Sequence, residues 1–242
     1  TDITDSTNIQ FGNPDLDPVF SHSFELNLIR TTDDLSLSAS MYHRIAENDI
    51  QSISYLDNGV MFQTSSNVTR NSSSGLELVG KSKLTNLAEL TGTIDGFYSE
   101  MDPFTYRGYY YKGNSGFSWN ARLNGTLIFS KSLTGELSGF YNAPAIIAQG
   151  KSKSNYTLDA GLRKSFFDKQ LQIALNGRNL LNSFKFASTT WGSGFYQTSS
   201  SQFFSRSIQL NVTWNFGNMK PKKDIKEENN NSNSGNNMDS EY

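Results

Sequence analysis

Apolar and polar side chains alternate with a period of two in nine segments between residues 20 and 216. A β-strand places successive side chains on opposite faces, so this alternation predicts strands with one apolar face. The clearest segment has apolar residues at every even position from Ile208 to Phe216, with Gln209, Asn211 and Thr213 between them. No helical period competes with this pattern. We therefore predict an all-β fold with nine antiparallel strands over residues 20–217.

The connections between the nine segments alternate between short and long. Tight turns are predicted near residues 31–33, 85–86, 131–132 and 168–169, whereas long stretches such as 45–74 and 182–202 separate the other pairs. Bacterial outer-membrane barrels have short periplasmic turns and long extracellular loops. A soluble β-sandwich, the weaker alternative, has no reason to sort its connections in this way. The pattern predicts a segment of an antiparallel up-and-down transmembrane β-barrel.

The composition is compatible with this interpretation and excludes several kinds of site. Mean hydropathy is −0.52, as in a soluble domain, but a membrane barrel also has a polar average because its strands alternate. Charged residues make up 18% of the chain, below the ~25% typical of soluble domains. The absence of cysteine excludes disulfides, zinc–thiolate sites and iron–sulfur clusters. A net charge of −2 gives no overall attraction to nucleic acid.

Charged side chains follow the predicted faces. On the apolar face, Arg30 and Lys164 fall at one end of their strands, and His22, His43, Asn179 and Arg206 at the other. A cation in the middle of the bilayer costs roughly 2–4 kcal/mol, but about 0–1 kcal/mol near its edges. The opposite face carries charges that we predict to line the lumen, among them Arg122, Glu136, Asp159, Arg163 and Arg178.

An odd number of strands is unexpected for a whole barrel, because single-chain bacterial barrels have even numbers. We therefore interpret residues 20–217 as the C-terminal strands of a larger barrel. The last strand then ends in the periplasm, which places residues 1–19 in an extracellular loop that leads into the first strand. Residues 218–242, rich in Asn, Ser and Lys, are predicted to form a disordered periplasmic tail.

Two motifs and the closing strand resemble TonB-dependent outer-membrane receptors. Phe11-Gly-Asn-Pro-Asp-Leu-Asp-Pro18 resembles the G-N-P-x-L-x-P-E segment that leads into a barrel strand, with Val19 in place of the acidic residue. Gly177-Arg-Asn-Leu-Leu-Asn182 resembles the late V-x-N-L-F-N segment, with Leu181 in place of the aromatic residue. Asn142-Ala-Pro144 and the polar tail are similar to the outer membrane protein β-barrel subfamily of Bacteroidota type.

The resemblance implies a 22-stranded barrel, plugged by an N-terminal domain, in the outer membrane of a Gram-negative bacterium. Such receptors use TonB and the proton-motive force to import siderophores, cobalamin, glycans or peptides. The plug and the TonB box are absent from this chain. The implied partners are the lipid bilayer, the barrel-assembly machinery through Ile208–Phe216, the TonB system through the plug, and a surface lipoprotein as a candidate. No nucleic acid, cofactor or metal is expected.

Aromatic residues concentrate in two of the long connections. With Arg107, which suits an anionic ligand, they are candidates for stacking on sugar rings or aromatic chelators. An aromatic girdle or packing of the loops against one another is the alternative. The candidates are Phe104, Tyr106, Arg107, Tyr109, Tyr110, Tyr111, Trp191, Phe195 and Tyr196.

The sequence does not indicate an enzyme. It contains two histidines, both at strand ends on the predicted lipid face, and no catalytic residue is assigned. The leading hypothesis is the wall and ligand-facing loops of a receptor for nutrients or siderophores. The alternatives are a non-transporting surface or structural barrel that serves adhesion or assembly, and a soluble β-sandwich binding module.

Overall fold

The computed structural model describes residues 2–5, 7–68 and 70–216, which form 19 strands. In this part of the chain, no helix is long and apolar enough to cross a membrane. The tail predicted over residues 218–242 lies outside the described residues.

Nine strands form one antiparallel sheet. Their order across the sheet is the same as their order along the chain. This is the up-and-down arrangement that alternation predicts, and the nine-stranded prediction is confirmed. The strands are β3 (Phe20–Thr31), β4 (Leu35–Glu47), β7 (Asn71–Thr85), β8 (Ala88–Met101), β11 (Asn114–Ser130), β12 (Leu133–Asn142), β15 (Asn155–Phe166), β16 (Leu171–Arg178) and β19 (Ser207–Trp214).

The register places most of the apolar residues of the nine strands on one face. Leu26 pairs with Met41, which pairs with Leu76, and the same face continues through Ile94 and Leu123. The five charges predicted for the lumen lie on the opposite face, hereafter the polar face. No second sheet packs over the apolar face in the described part of the chain, so the soluble β-sandwich alternative is wrong.

The long connections and residues 1–19 contain further strands that alternation did not predict. They gather at one end of the sheet, hereafter the loop end, and the tight turns lie at the opposite, turn end. The additional strands are β1 (Asp2–Asp5), β2 (Asn8–Gln10), β5 (Ile50–Asp57), β6 (Val60–Asn67), β9 (Phe104–Tyr106), β10 (Tyr109–Tyr111), β13 (Ile146–Ile147), β14 (Gly150–Ser152), β17 (Phe186–Gly192) and β18 (Phe195–Ser201).

Burial is concentrated at the loop end rather than in the sheet. Ile53, Met101, Phe104 and Tyr111 form a buried cluster there, whereas the large apolar residues of the sheet, such as Leu28, are exposed. A protein in water does not leave a contiguous apolar face of this size uncovered. The sheet therefore needs an apolar medium on that side.

On the polar face, the Tyr42 ring lies across Gly75, and its hydroxyl donates a hydrogen bond of 2.9 Å to Asp95. A side chain at position 75 would overlap the ring. We expect Gly75→Val to break this bond and lower the free energy of unfolding by about 1–3 kcal/mol, measured by denaturant titration in vesicles. Gly92→Ala is the control, because its added methyl group would lie 3.6 Å from Leu123. Equal losses in the two variants would contradict this interpretation.

Candidate functional site

The aromatic run at residues 104–111 folds into a hairpin that covers the buried cluster. Arg107 and Gly108 have φ values of 50° and 80°, the left-handed pair that suits a two-residue hairpin turn. Phe104 stacks on Tyr111 with ring centroids 4.8 Å apart. Strand parity turns Tyr106 and Tyr109 toward the same side, and both pack against the cluster.

A buried glutamine side chain forms hydrogen bonds between two of the long loops. Gln149, in the turn between β13 and β14, accepts a hydrogen bond of 2.7 Å from the Ser54 backbone N–H. Its side-chain amide donates one of 2.8 Å to the Ser54 carbonyl. These two bonds join residues that are 95 positions apart in the chain, and they hold the β5–β6 hairpin against the β13–β14 turn.

The predicted ligand-binding residues separate into buried and exposed sets. Phe104 and Tyr111 are buried in the loop cluster, as in the loop-packing alternative. Tyr110, on the opposite side of its hairpin, is 69% exposed, and Tyr196 is 74% exposed. Arg107 lies over the Tyr55 ring at 5.1 Å.

The second predicted group lies on the β17–β18 hairpin, where Trp191 pairs with Tyr196 and Phe195 packs over Gly192. In the described part of the chain, no ring of this group contacts a ring of the first. Both groups approach the β5–β6 hairpin, because Arg107 meets Tyr55 and the tip at Gly194 approaches Leu56. Ligand binding by Tyr110 and Tyr196 stays a prediction.

Burial raises the pKa of Tyr111, and neighbouring Tyr109 raises it further. Burial also raises the pKa of Tyr55, which the Arg107 guanidinium partly offsets. The folded pKa of Tyr111 therefore exceeds the unfolded value of ~10. Its contribution to stability is complete below pH 10 and is lost as the pH rises through the folded value.

We expect the loop cluster to become more sensitive to protease at pH 11 than at pH 9. Ionisation of buried Tyr111 places a charge in the cluster, which favours opening. Limited proteolysis of the protein in detergent, corrected for protease activity at each pH, measures this change. Tyr111→Phe should reduce the difference in protease sensitivity between pH 9 and pH 11. An unchanged difference in that variant would show that ionisation of Tyr111 does not open the cluster.

The structure also contains a cavity of about 460 Å³, lined by both apolar and polar side chains, that the sequence did not indicate. One side of it is formed by Asn142 and Asn155, at the loop ends of β12 and β15, and by Asn120 within β11, which pairs with Asn142. Phe186 and Phe203 flank it from the β17–β18 side. The only sequence signal was asparagine at polar-face positions in or next to three neighbouring predicted strands. Register was needed to show that the three residues are adjacent.

The five charges predicted for the lumen have partners or neighbours on the polar face. Arg163 donates to Glu136 at 3.4 Å, and Asp159 accepts the Asn179 backbone N–H at 2.7 Å. Arg178 lines a cavity of about 270 Å³ together with Asp159.

Arg122 lies with Glu77 and Asp95 around another cavity on the polar face, of about 280 Å³. Among the described residues, no group of three or more His, Cys, Asp or Glu side chains is placed to hold a metal ion.

Asn179 corrects one detail of the sequence analysis, which placed it on the apolar face. β16 ends at Arg178, and Asn179 turns the chain with a φ of 48°. Its buried side chain donates to the Phe204 carbonyl at 2.9 Å and accepts the backbone N–H groups of Ser183 and Phe184. Strand parity does not apply beyond the strand end, so the prediction was wrong.

A family model described as "Outer membrane protein beta-barrel family" matches residues 1–214. The chain belongs to this family. This outer-membrane barrel has no significant match among curated proteins. It resides in the outer membrane of a Gram-negative bacterium, as the family and the solved structures that resemble it do.

Solved structures similar to this outer-membrane barrel share its fold at low sequence identity. The siderophore receptor PiuA from Acinetobacter baumannii is 19% identical with a TM-score of 0.56, and 80% of this chain covers 28% of that one. The ferric yersiniabactin uptake receptor FyuA from Yersinia pestis is 17% identical with a TM-score of 0.57, with 82% and 30% coverage. The outer membrane transporter YddB from Escherichia coli is 15% identical with a TM-score of 0.50, with 87% and 34% coverage. This barrel spans about a third or less of their lengths.

The apolar face of this outer-membrane barrel has the height of a membrane. Trp119 stacks on Tyr141 at 4.8 Å near the loop end, and Phe129 lies on the same face near the turn end. Ten residue steps along β11 at ~3.4 Å, with a strand tilt of ~40°, give about 26 Å between the two levels. Outer-membrane barrels have an apolar band of ~25 Å between aromatic girdles. Lys164 lies on this face at the turn end, where its Nζ donates to Ser132 at 2.9 Å.

Proposed function

We propose that this chain forms part of the wall and the extracellular loops of a TonB-dependent transporter for nutrients or siderophores. The observation that carries the proposal is an open nine-stranded sheet that resembles the barrels of two siderophore receptors. In this proposal the loop end faces the outside of the cell, and residues 1–19 lie in an extracellular connection. The turn end faces the periplasm.

The two edges of the sheet support a larger barrel. Among the described residues, β3 and β19 each pair with a neighbour on one side only. Inside a bilayer, the unpaired N–H and C=O groups of an edge cost several kcal/mol each, which is why membrane sheets close. Further strands of the complete transporter therefore pair with both edges.

Coupling and assembly require partners beyond these strands. In this proposal a plug domain connects the barrel to TonB. The barrel-assembly machinery recognises the terminal strand, Ile208–Phe216. The supporting feature is the unpaired edge of β19 with its exposed apolar side chains, among them Ile208 and Trp214. A surface lipoprotein partner stays a prediction.

The test is uptake by cells that carry the full-length protein as their single receptor of this kind. We expect labelled ferric siderophores or neutral oligosaccharides to enter, and uptake to stop when TonB is deleted or the proton-motive force is collapsed. Tyr110→Ala with Tyr196→Ala should reduce uptake, whereas Phe167→Ala, an exposed aromatic residue at the turn end, should not. If no solute enters in a TonB-dependent manner and surface adhesion depends on the protein, the non-transporting alternative is correct.

A further inference from the structure

Three lysines gather at one corner of the turn end, where the apolar face of the sheet ends. Lys131 lies in the β11–β12 turn, Lys169 in the β15–β16 turn, and Lys164 on the apolar face near the end of β15. Because β12 pairs with β15, the two turns are neighbours. The Ser165 backbone N–H donates to the Ser132 carbonyl at 2.7 Å and joins β15 to the β11–β12 turn. The three lysines are hereafter the lysine corner.

The positive charge of the lysine corner is local and has little compensation. Asp168 is the single carboxylate in the two turns, and among the described residues none of the three lysines forms an ion pair. The other tight turns differ. The β3–β4 turn contains Asp33 and Asp34, and the β7–β8 turn contains no charged residue. An anion at the turn end is therefore attracted to this corner rather than to the whole rim.

Lys164 holds its ammonium group at the edge of the apolar face. Its Nζ donates a hydrogen bond of 2.9 Å to the Ser132 hydroxyl, which lies 3.3 Å from the Ser130 hydroxyl. The Nζ also lies 5.8 Å from the centre of the Phe166 ring. An ammonium group has three N–H donors, so donors remain for a further acceptor. A phosphate oxygen beside Nζ would accept a charge-assisted hydrogen bond.

The apolar side chains next to the lysine corner suit acyl chains. Phe129 and Phe166 lie near the ends of β11 and β15, on either side of β12, and are 58% and 38% exposed. Two strand spacings, about 10 Å, separate these strands. Between them, Leu133 and the exposed Leu137 of β12 continue the apolar surface toward the middle of the band. This surface belongs to the face that meets lipid, so an acyl chain along β12 stays within the bilayer.

Charge distinguishes between two classes of phospholipid. A zwitterionic headgroup carries an ammonium group, which the three lysines repel and for which Asp168 is the single acceptor in the two turns. A headgroup with a phosphodiester and no ammonium group has the complementary charge. Basic clusters at a membrane surface bind anionic lipids by the same attraction.

We propose that the lysine corner binds the phosphate of phosphatidylglycerol, an anionic phospholipid, whose acyl chains lie along β12 between Phe129 and Phe166. The leaflet of this lipid rests on the proposed function, in which the turn end faces the periplasm. The binding itself requires only that the apolar face lies in a bilayer, and it does not require transport.

The experiment is native mass spectrometry of the full-length protein in detergent, titrated with phosphatidylglycerol or with phosphatidylcholine of the same acyl chains. We expect phosphatidylglycerol to bind about fivefold more tightly. Lys131→Gln, Lys164→Gln and Lys169→Gln together should abolish this preference, because they remove the charge and keep most of the side-chain length. Arginine at the same three positions should retain it, which separates loss of charge from loss of structure.

Lys83→Gln is the matched control, because Lys83 lies on the polar face at the turn end, opposite Glu89 in the register. It should leave the preference unchanged. The proposal is overturned if the two lipids bind equally, if the triple glutamine variant keeps the preference, or if Lys83→Gln also loses it. Displacement of the lipid by glycerol 3-phosphate at equal concentration would also overturn it, since the site would then take a free phosphate.

The lipid site and the transport proposal fail separately. A preference for phosphatidylglycerol without TonB-dependent uptake would refute transport and support the lipid site. TonB-dependent uptake without that preference would refute the lipid site alone.

Discussion

Arginine in place of Leu123 is expected to lower the free energy of unfolding in a bilayer by about 2–4 kcal/mol. Leu123 lies on the apolar face of β11, between Trp119 and Phe129, at about the middle of the apolar band. A guanidinium group at that depth has neither water nor a counter-charge. Denaturant titration of the full-length protein in lipid vesicles measures the loss.

Asn124→Arg is the control, because the neighbouring position of the same strand lies on the polar face. A guanidinium group there reaches water, so we expect a change below about 1 kcal/mol. Equal effects at positions 123 and 124 would show that the two faces meet the same medium, and would refute a lipid-facing apolar wall.

Removal of the Gln149 side chain is expected to have the second large effect, at the loop end. Gln149→Ala leaves the buried N–H group of Ser54 without its partner, and leaves the Ser54 carbonyl with only a long hydrogen bond of 3.5 Å from the Tyr111 hydroxyl. An unsatisfied buried group costs about 1–3 kcal/mol, so we expect the β5–β6 hairpin to open more readily by about 1–3 kcal/mol. Hydrogen exchange of the amides in residues 50–67 reports this opening.

Gln197→Ala serves as the matched glutamine control, because this exposed side chain of β18 lies in the same group of loops. It should change hydrogen exchange by less than about 0.5 kcal/mol. Protection of residues 50–67 that is equal in Gln149→Ala and in the unmodified protein would mean that the hairpin is held by other contacts.

The sheet could be predicted from sequence because its two faces meet different media. Apolar residues such as Leu26, Leu123 and Leu210 recur at every second position, and that period is visible without knowledge of the partners. The strands of the long connections have no such signal. In β5, the consecutive residues Ile53, Ser54 and Tyr55 are all buried, because other loops cover both faces of the strand.

The candidate site could be predicted only in part. The aromatic run was visible in the sequence, but which of its rings are buried depends on the hairpin that turns at Arg107 and Gly108. In that hairpin Phe104 points toward the buried cluster and Tyr110 points away from it. Asn142 and Asn155 are adjacent only because β12 pairs with β15. Adjacency of this kind follows from the strand register. The pattern of a single sequence does not determine the register of strands joined by long connections.

The most direct test of the membrane wall is a single-cysteine scan of β11 from position 119 to 129 in vesicles. The chain contains no cysteine, so each introduced thiol reports on one position. With a spin label at each thiol, we predict that collisions with oxygen dominate at odd positions, such as 121 and 123, and that collisions with a water-soluble nickel chelate dominate at even positions, such as 122 and 124. Accessibility to the nickel chelate at both parities would contradict a strand with one face in lipid.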